Sequence, residues 1–197
     1  TTTVRDRVLN GDAAFRQRVD GVLLVDVFCE ESGAIALTRH GLPAVVVGEQ
    51  LGAVTSMSVD NRLGAGLAAE HLVTLGHRRI AMLSGPREVS TAADRVTGYQ
   101  RALTEAGIAC PETDQQEDFS KGHRMVIYGT FTRQGGYAMA KEVLAITPRP
   151  TALFAANNFI AIGAYRALRE TGLDVPGDVS LVAFDDLPPN FSLEPFL

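Results

Sequence analysis

The chain has 197 residues, 46% hydrophobic and 21% charged, a balance that closes a core without disulfide or metal staples and excludes a disordered or fibrous protein. Its 18 lysines and arginines against 23 acidic residues leave a net charge of −5, so no global positive field exists to hold nucleic-acid phosphates. Cys29 and Cys110 lie far apart with no Cys-x-x-Cys spacing, which points to a reducing compartment and against a disulfide framework.

In chain order, Thr1 to Arg7 carries charges with no apolar stretch behind them, so no signal peptide is read there. Two short apolar runs follow, Gly21 to Val27 and Pro43 to Val47, far too short to cross a bilayer, and no membrane partner is expected. A short strand, Ser56 to Val59, precedes a helix that Asp60-Asn61 can cap and Gly76 can end. The run Ile80 to Leu83 leads to a second helix, opened by a capping box at Thr91-Ala-Ala-Asp94 and closed at Gly107. Within it Ala92, Val96, Tyr99, Leu103 and Ala106 form one apolar stripe. The polar stretch Pro111 to His123 reads as a surface loop. Strand Met125 to Tyr128, a helix near 132–147, strand Thr151 to Ala155, a helix over 157–172 and strand Val179 to Phe184 complete the series. The runs are apolar throughout rather than alternating, as in parallel strands covered on both faces, and the alternation of strand and helix predicts a doubly wound α/β architecture.

Most motifs in this frame reduce to packing. Gly64-x-Gly66-x-x-Ala69 matches a relaxed dinucleotide pattern, but its glycines fall inside a helix and no ribose-binding carboxylate follows at the right distance. Close helix packing is the expectation, and no cofactor is. His40, His71, His77 and His123 lack metal-ligand spacing, and His71, four residues from Leu67 and Leu75, reads as a structural histidine. Ser84 lacks the first glycine of a nucleophile elbow, and Asp185 and Asp186, as neighbours at a strand end, point in different directions. Neither a metal site nor an enzyme is expected.

Ligands of open α/β sheets bind beyond the carboxyl ends of the strands, so the residues there carry the remaining signal. Arg95 lies in the first turns of its helix, where the macrodipole disfavours a cation, and beside the apolar positions Ala92 and Tyr99. Asn157 and Asp185 each follow a strand. A helix cap accounts for Asn157 and a turn for Asp185, but a cation, an amide and an anion on such ends also suit a polar ligand.

Glu70-His-Leu72 and Gly76-His-Arg-Arg-Ile80 through Gly85-Pro86, then Ser90-Thr91-Ala-Ala-Asp-Arg95 to Leu103, Phe154-Ala-Ala-Asn157-Asn158 and Asp174 to Asp186, together resemble the lac/gal repressor (LacI/GalR) family of transcription regulators. The resemblance covers nearly the whole chain. It implies the effector-binding core: a periplasmic-binding-protein-like fold (type I) of two doubly wound parallel-sheet subdomains with a ligand cleft between them, truncated at both ends. The subdomains are then 1–76 and 77–184, with 185–197 crossing back. The resemblance also implies that Arg95, Asp185, Asn157 and the aromatic Phe131 hold a sugar or nucleobase, with Thr91, Val59 and Asp60 nearby. Asn158, where the family usually has an aspartate, and Gly48-Glu49, after the strand ending at Val47, depart from its pattern.

The function so implied is that of a cytoplasmic, homodimeric regulator whose small-molecule effector controls operator DNA. DNA would be bound only through a helix-turn-helix upstream of Thr1, and further strands and helices would follow Leu197. A periplasmic sugar-binding protein of a transport system is the competing reading, because it shares the fold.

Overall fold

The computed structural model describes residues 19–25, 42–48, 54–108 and 125–186. The expected loop from Pro111 to His123, both cysteines, His40, Glu49 and most of the return segment 185–197 lie outside them. The chain forms two compact units, Thr1–Asp60 and Asn61–Leu197.

In the first unit, β1 (Val22–Val25), β2 (Ala44–Val47) and β3 (Ser56–Met57) pair in parallel in that order. Val22 stands opposite Ala44, and Val46 opposite Ser56. Val46 is fully buried.

The second unit contains α1 (Asn61–Thr74), β4 (Ile80–Ser84), α2 (Ser90–Glu105), β5 (Met125–Tyr128), α3 (Arg133–Leu144), β6 (Ala152–Ala155), α4 (Asn158–Glu170) and β7 (Ser180–Ala183). Its four strands are parallel in the order β5-β4-β6-β7. Every residue of the central strands β4 and β6 is buried, which is why they read as unbroken apolar runs. Helix α1 packs on α2, and α3 on α4. Both pairs approach at glycine: a Cβ on Gly98 would stand 2.0 Å from the Arg62 carbonyl oxygen, and one on Gly163 2.0 Å from that of Arg133. Tyr99 fills the core, donating its hydroxyl to the Ile80 carbonyl at 2.8 Å and leaning on Phe154 with ring centroids 6.2 Å apart.

The Gly64 and Gly66 pattern serves packing. A Cβ at Gly64 would meet the Phe184 ring at 2.6 Å. Gly76, Gly107 and Gly172 follow α1, α2 and α4 with positive φ, where helix ends were expected.

Other expectations need correction. The capping box at Thr91 and Asp94 is not formed: α2 begins at Ser90 behind Val89, whose side chain caps nothing, and Asp94 pairs instead with Arg62 at 2.8 Å. The units divide between Asp60 and Asn61 rather than after residue 76. The cause is α1, whose Ala65, Ala69 and Leu72 are buried in the core built around β4 and β6. His71 is exposed, as are Leu67 and Leu75. The histidine with structural partners is His77, ahead of β4, whose Nδ1 lies 2.9 Å from Thr151 Oγ1 and whose Nε2 lies 3.0 Å from Ser180 Oγ. Desolvation holds its pKa below the ordinary histidine value. Among the described residues no helix is long and apolar enough to cross a membrane.

Candidate functional site

The chain leaves β4 into α2 and leaves β6 into α4, so the carboxyl ends of these adjacent strands flank a switch point of the kind where α/β sheets take ligands. Helical periodicity puts Arg95, three residues after Ala92 and four before Tyr99, on the buried side of α2, where it is only 9% exposed. A guanidinium has five N–H donors, and burial requires that they be used. Nε donates to Oδ1 of Asn61, the buried first residue of α1, at 2.8 Å. Nη1 donates to the carbonyl of Ala156, just past β6, and lies 3.8 Å from Oδ2 of Asp185. The guanidinium carbon sits 3.7 Å from the centre of the Phe184 ring. Burial lowers the Arg95 pKa and the Asp185 charge opposes the shift, so the group remains a cation. The two N–H groups of Nη2 meet no acceptor among the described residues.

Asp185 occupies the turn after β7 with φ of 72°, a conformation rare outside glycine, and its side chain is 48% exposed. The turn is held from both sides, since the Phe184 N–H donates to the Ala155 carbonyl at 3.0 Å and Asn158 Nδ2 to the Asp186 carbonyl at 2.7 Å. Asn157 caps α4, its Oδ1 accepting from the Ile160 N–H at 2.8 Å, which leaves its amide NH2 as a donor. Phe131, half-buried between β5 and α3, lies on Gly85 at the end of β4, where a Cβ would come within 2.2 Å of its ring. Thr91 is half-buried one helical turn before Arg95.

The structure thus brings Arg95, Asp185 and Asn157 to the ends of β4, β6 and β7, with Phe131 against the loop that follows β4. Val59 and Asp60 are exposed at the end of the first unit. Asn61, Phe184 and Asn158 are participants that sequence reasoning missed. Asn61 read only as a helix start and Phe184 as the end of a strand. Asn158 stood out only as a departure from the family pattern. Chemically the group presents donors from Arg95 Nη2 and Asn157 Nδ2 beside acceptors from Asp185. That combination suits a neutral ligand able both to give and to take hydrogen bonds.

Residues 69–195 match the family model of the periplasmic binding protein-like domain. The chain is 36% identical over 174 residues to the transcriptional regulator CelR of Thermobifida fusca, covering 86% of this chain and 48% of that protein. It is likewise 36% identical over 180 residues to the transcriptional repressor PurR of Escherichia fergusonii, covering 87% of this chain and 48% of the repressor. The chain therefore spans about half the length of the curated relatives it matches. Among solved structures, a CelR–cellobiose complex superposes with a TM-score of 0.77 at 34% identity, over 93% of this chain and 54% of the other.

Proposed function

Because the chain belongs to the periplasmic-binding-protein-like domain family, in which its relatives are LacI-type transcription regulators, we propose that it senses a small polar effector for such a regulator. One observation carries the reading: Arg95, 9% exposed, has no acceptor for its Nη2 donors among the described residues and lies beside a half-exposed Asp185, at the strand ends where this architecture takes ligands. Nη2 is not sealed from solvent, since Ser84 Oγ is the buried side-chain atom without a partner among the described residues, so a ligand can take the place of water on these donors. The effector is a hydroxyl-rich saccharide or a nucleobase, held by Arg95, Asp185 and Asn157, with Phe131 against its apolar face and Thr91 nearby. The cellobiose in the CelR complex makes cellobiose the first compound to try.

In the intact protein this sensing controls operator affinity through a helix-turn-helix in a cytoplasmic homodimer. Effector and operator are coupled only if the effector binds the DNA-bound and free states with different affinity. The names of the relatives favour this regulatory role over a transport component.

The test is a thermal-shift screen of saccharides, cellobiose first, and of nucleobases on the intact protein. An effector at a hundred times its Kd adds about 2.7 kcal/mol of stability. A hit that also changes operator retention in a DNA-binding assay supports the proposal, and a hit that leaves operator affinity unchanged refutes the regulatory part of it.

A further inference from the structure

We propose that Asn158 is a positioning residue that sets the Asp185 carboxylate for the ligand, an inference that rests on the effector reading above. Asp185 holds a positive φ of 72° without being glycine, so something outside its own backbone preference must keep it there. On its amino side the Phe184 N–H is tied to the Ala155 carbonyl at 3.0 Å, and the Phe184 ring lies against the Arg95 guanidinium. On its carboxyl side the peptide oxygen of Asp186 accepts from Asn158 Nδ2 at 2.7 Å. Asn158 is the first residue of α4, directly after the capping Asn157, so its backbone starts from a fixed helix end. The clamp therefore joins the start of α4 to the turn after β7, and between its two anchor points Asp185 Oδ2 stands 3.8 Å from Arg95 Nη1.

The chemistry of the clamp selects asparagine. Its acceptor is a peptide carbonyl, which requires a donor, and the asparagine amide provides one. An aspartate of the same shape offers only acceptors when ionised and would set a second anion beside the turn that carries Asp185. Two consecutive asparagines thus divide the work: Asn157 caps α4, and Asn158 holds the peptide that follows the acidic ligand residue.

The experiment uses the intact protein, the variants Asn158→Ala and Asn158→Asp, and two readouts. Without ligand, the Asp185 backbone resonances report its φ. They should show one left-handed conformer in the parent and move toward extended values or broaden in both variants, with the melting temperature nearly unchanged. With cellobiose as probe, followed by the other compounds of the screen, both variants should raise the dissociation constant about tenfold, the loss of roughly one hydrogen bond. In an Asp185→Ala background the same substitutions should add nothing, because the carboxylate they position is gone. Unchanged Asp185 resonances overturn the clamp whatever the ligand does. Equal losses of affinity in both backgrounds overturn the positioning role. If the parent binds none of the probes, the effector reading fails, and the resonances alone decide the clamp.

Discussion

Each end of the four-stranded sheet carries a polar cluster, and the two differ in how fully the protein satisfies them. At the amino ends, both ring nitrogens of His77 find hydroxyls, on Thr151 and Ser180, and Arg79 Nε donates to the Arg149 carbonyl at 3.0 Å. At the carboxyl ends, Arg95 is more deeply buried, yet among the described residues its Nη2 and the Asn157 amide NH2 have no acceptor, and Asp185 is half-exposed in a disfavoured backbone conformation. The difference teaches where to look for a ligand. A saturated cluster clips strands together, and a cluster that converges with donors and acceptors left over is built to be completed from outside.

The largest expected effect is at Arg95. Arg95→Ala should abolish measurable effector affinity, by about two decades or more, and should also lower stability by about 1–3 kcal/mol, since Asn61 Oδ1 and the Ala156 carbonyl lose a buried donor. Titration calorimetry and denaturant unfolding separate the two losses. Asp185→Asn should cost affinity alone, roughly one to two decades, because its side chain is half-exposed and asparagine tolerates the left-handed turn. A matching fall in the unfolding midpoint would make Asp185 a structural residue and erase the contrast between the two ends.

His77→Ala is the counterpart at the other end. It should lower stability by about 1 kcal/mol, the scale of one or two partly buried hydrogen bonds, and leave effector affinity where it was. Phe131→Ala should weaken the effector by about three- to tenfold, the worth of an aromatic contact, and Gly85→Ala should act in the same direction by pushing the ring off its seat. The smallest effect is in pH. The folded state holds the His77 pKa below its ordinary value of 6.5, so protonation opposes folding. Stability should hold above pH 6.5, fall as the pH drops through 6.5 while the unfolded chain takes up the proton first, and level off once the folded state also binds it. His77→Gln should flatten this part of the stability curve.

The strands were legible because burial on both faces writes itself as an apolar run, and β4 and β6 are covered completely. The site was partly legible. Arg95 stood out as a cation on an apolar stripe, and Asn157 and Asp185 proved to be cap and turn as well as members of the polar cluster. What stayed hidden depends on tertiary partners. The spacing of Thr91 and Asp94 matches a capping box, but the ion pair with Arg62 from α1 claims Asp94. Periodicity marks the apolar side of α1 and not which sheet buries it, so the boundary between the units was placed one helix too late. The clamp of Asn158 on Asp186 spans residues far apart in sequence, and no local pattern announces it.

The central claim is that the unsaturated end of the sheet, and not the saturated one, is where the effector binds. Calorimetric titration of the intact protein, Asp185→Asn and His77→Ala, using the compound found in the thermal-shift screen, tests it most directly. The account predicts affinity reduced by one to two decades in Asp185→Asn and unchanged in His77→Ala. Equal affinity in the parent and Asp185→Asn, or a loss confined to His77→Ala, would contradict it.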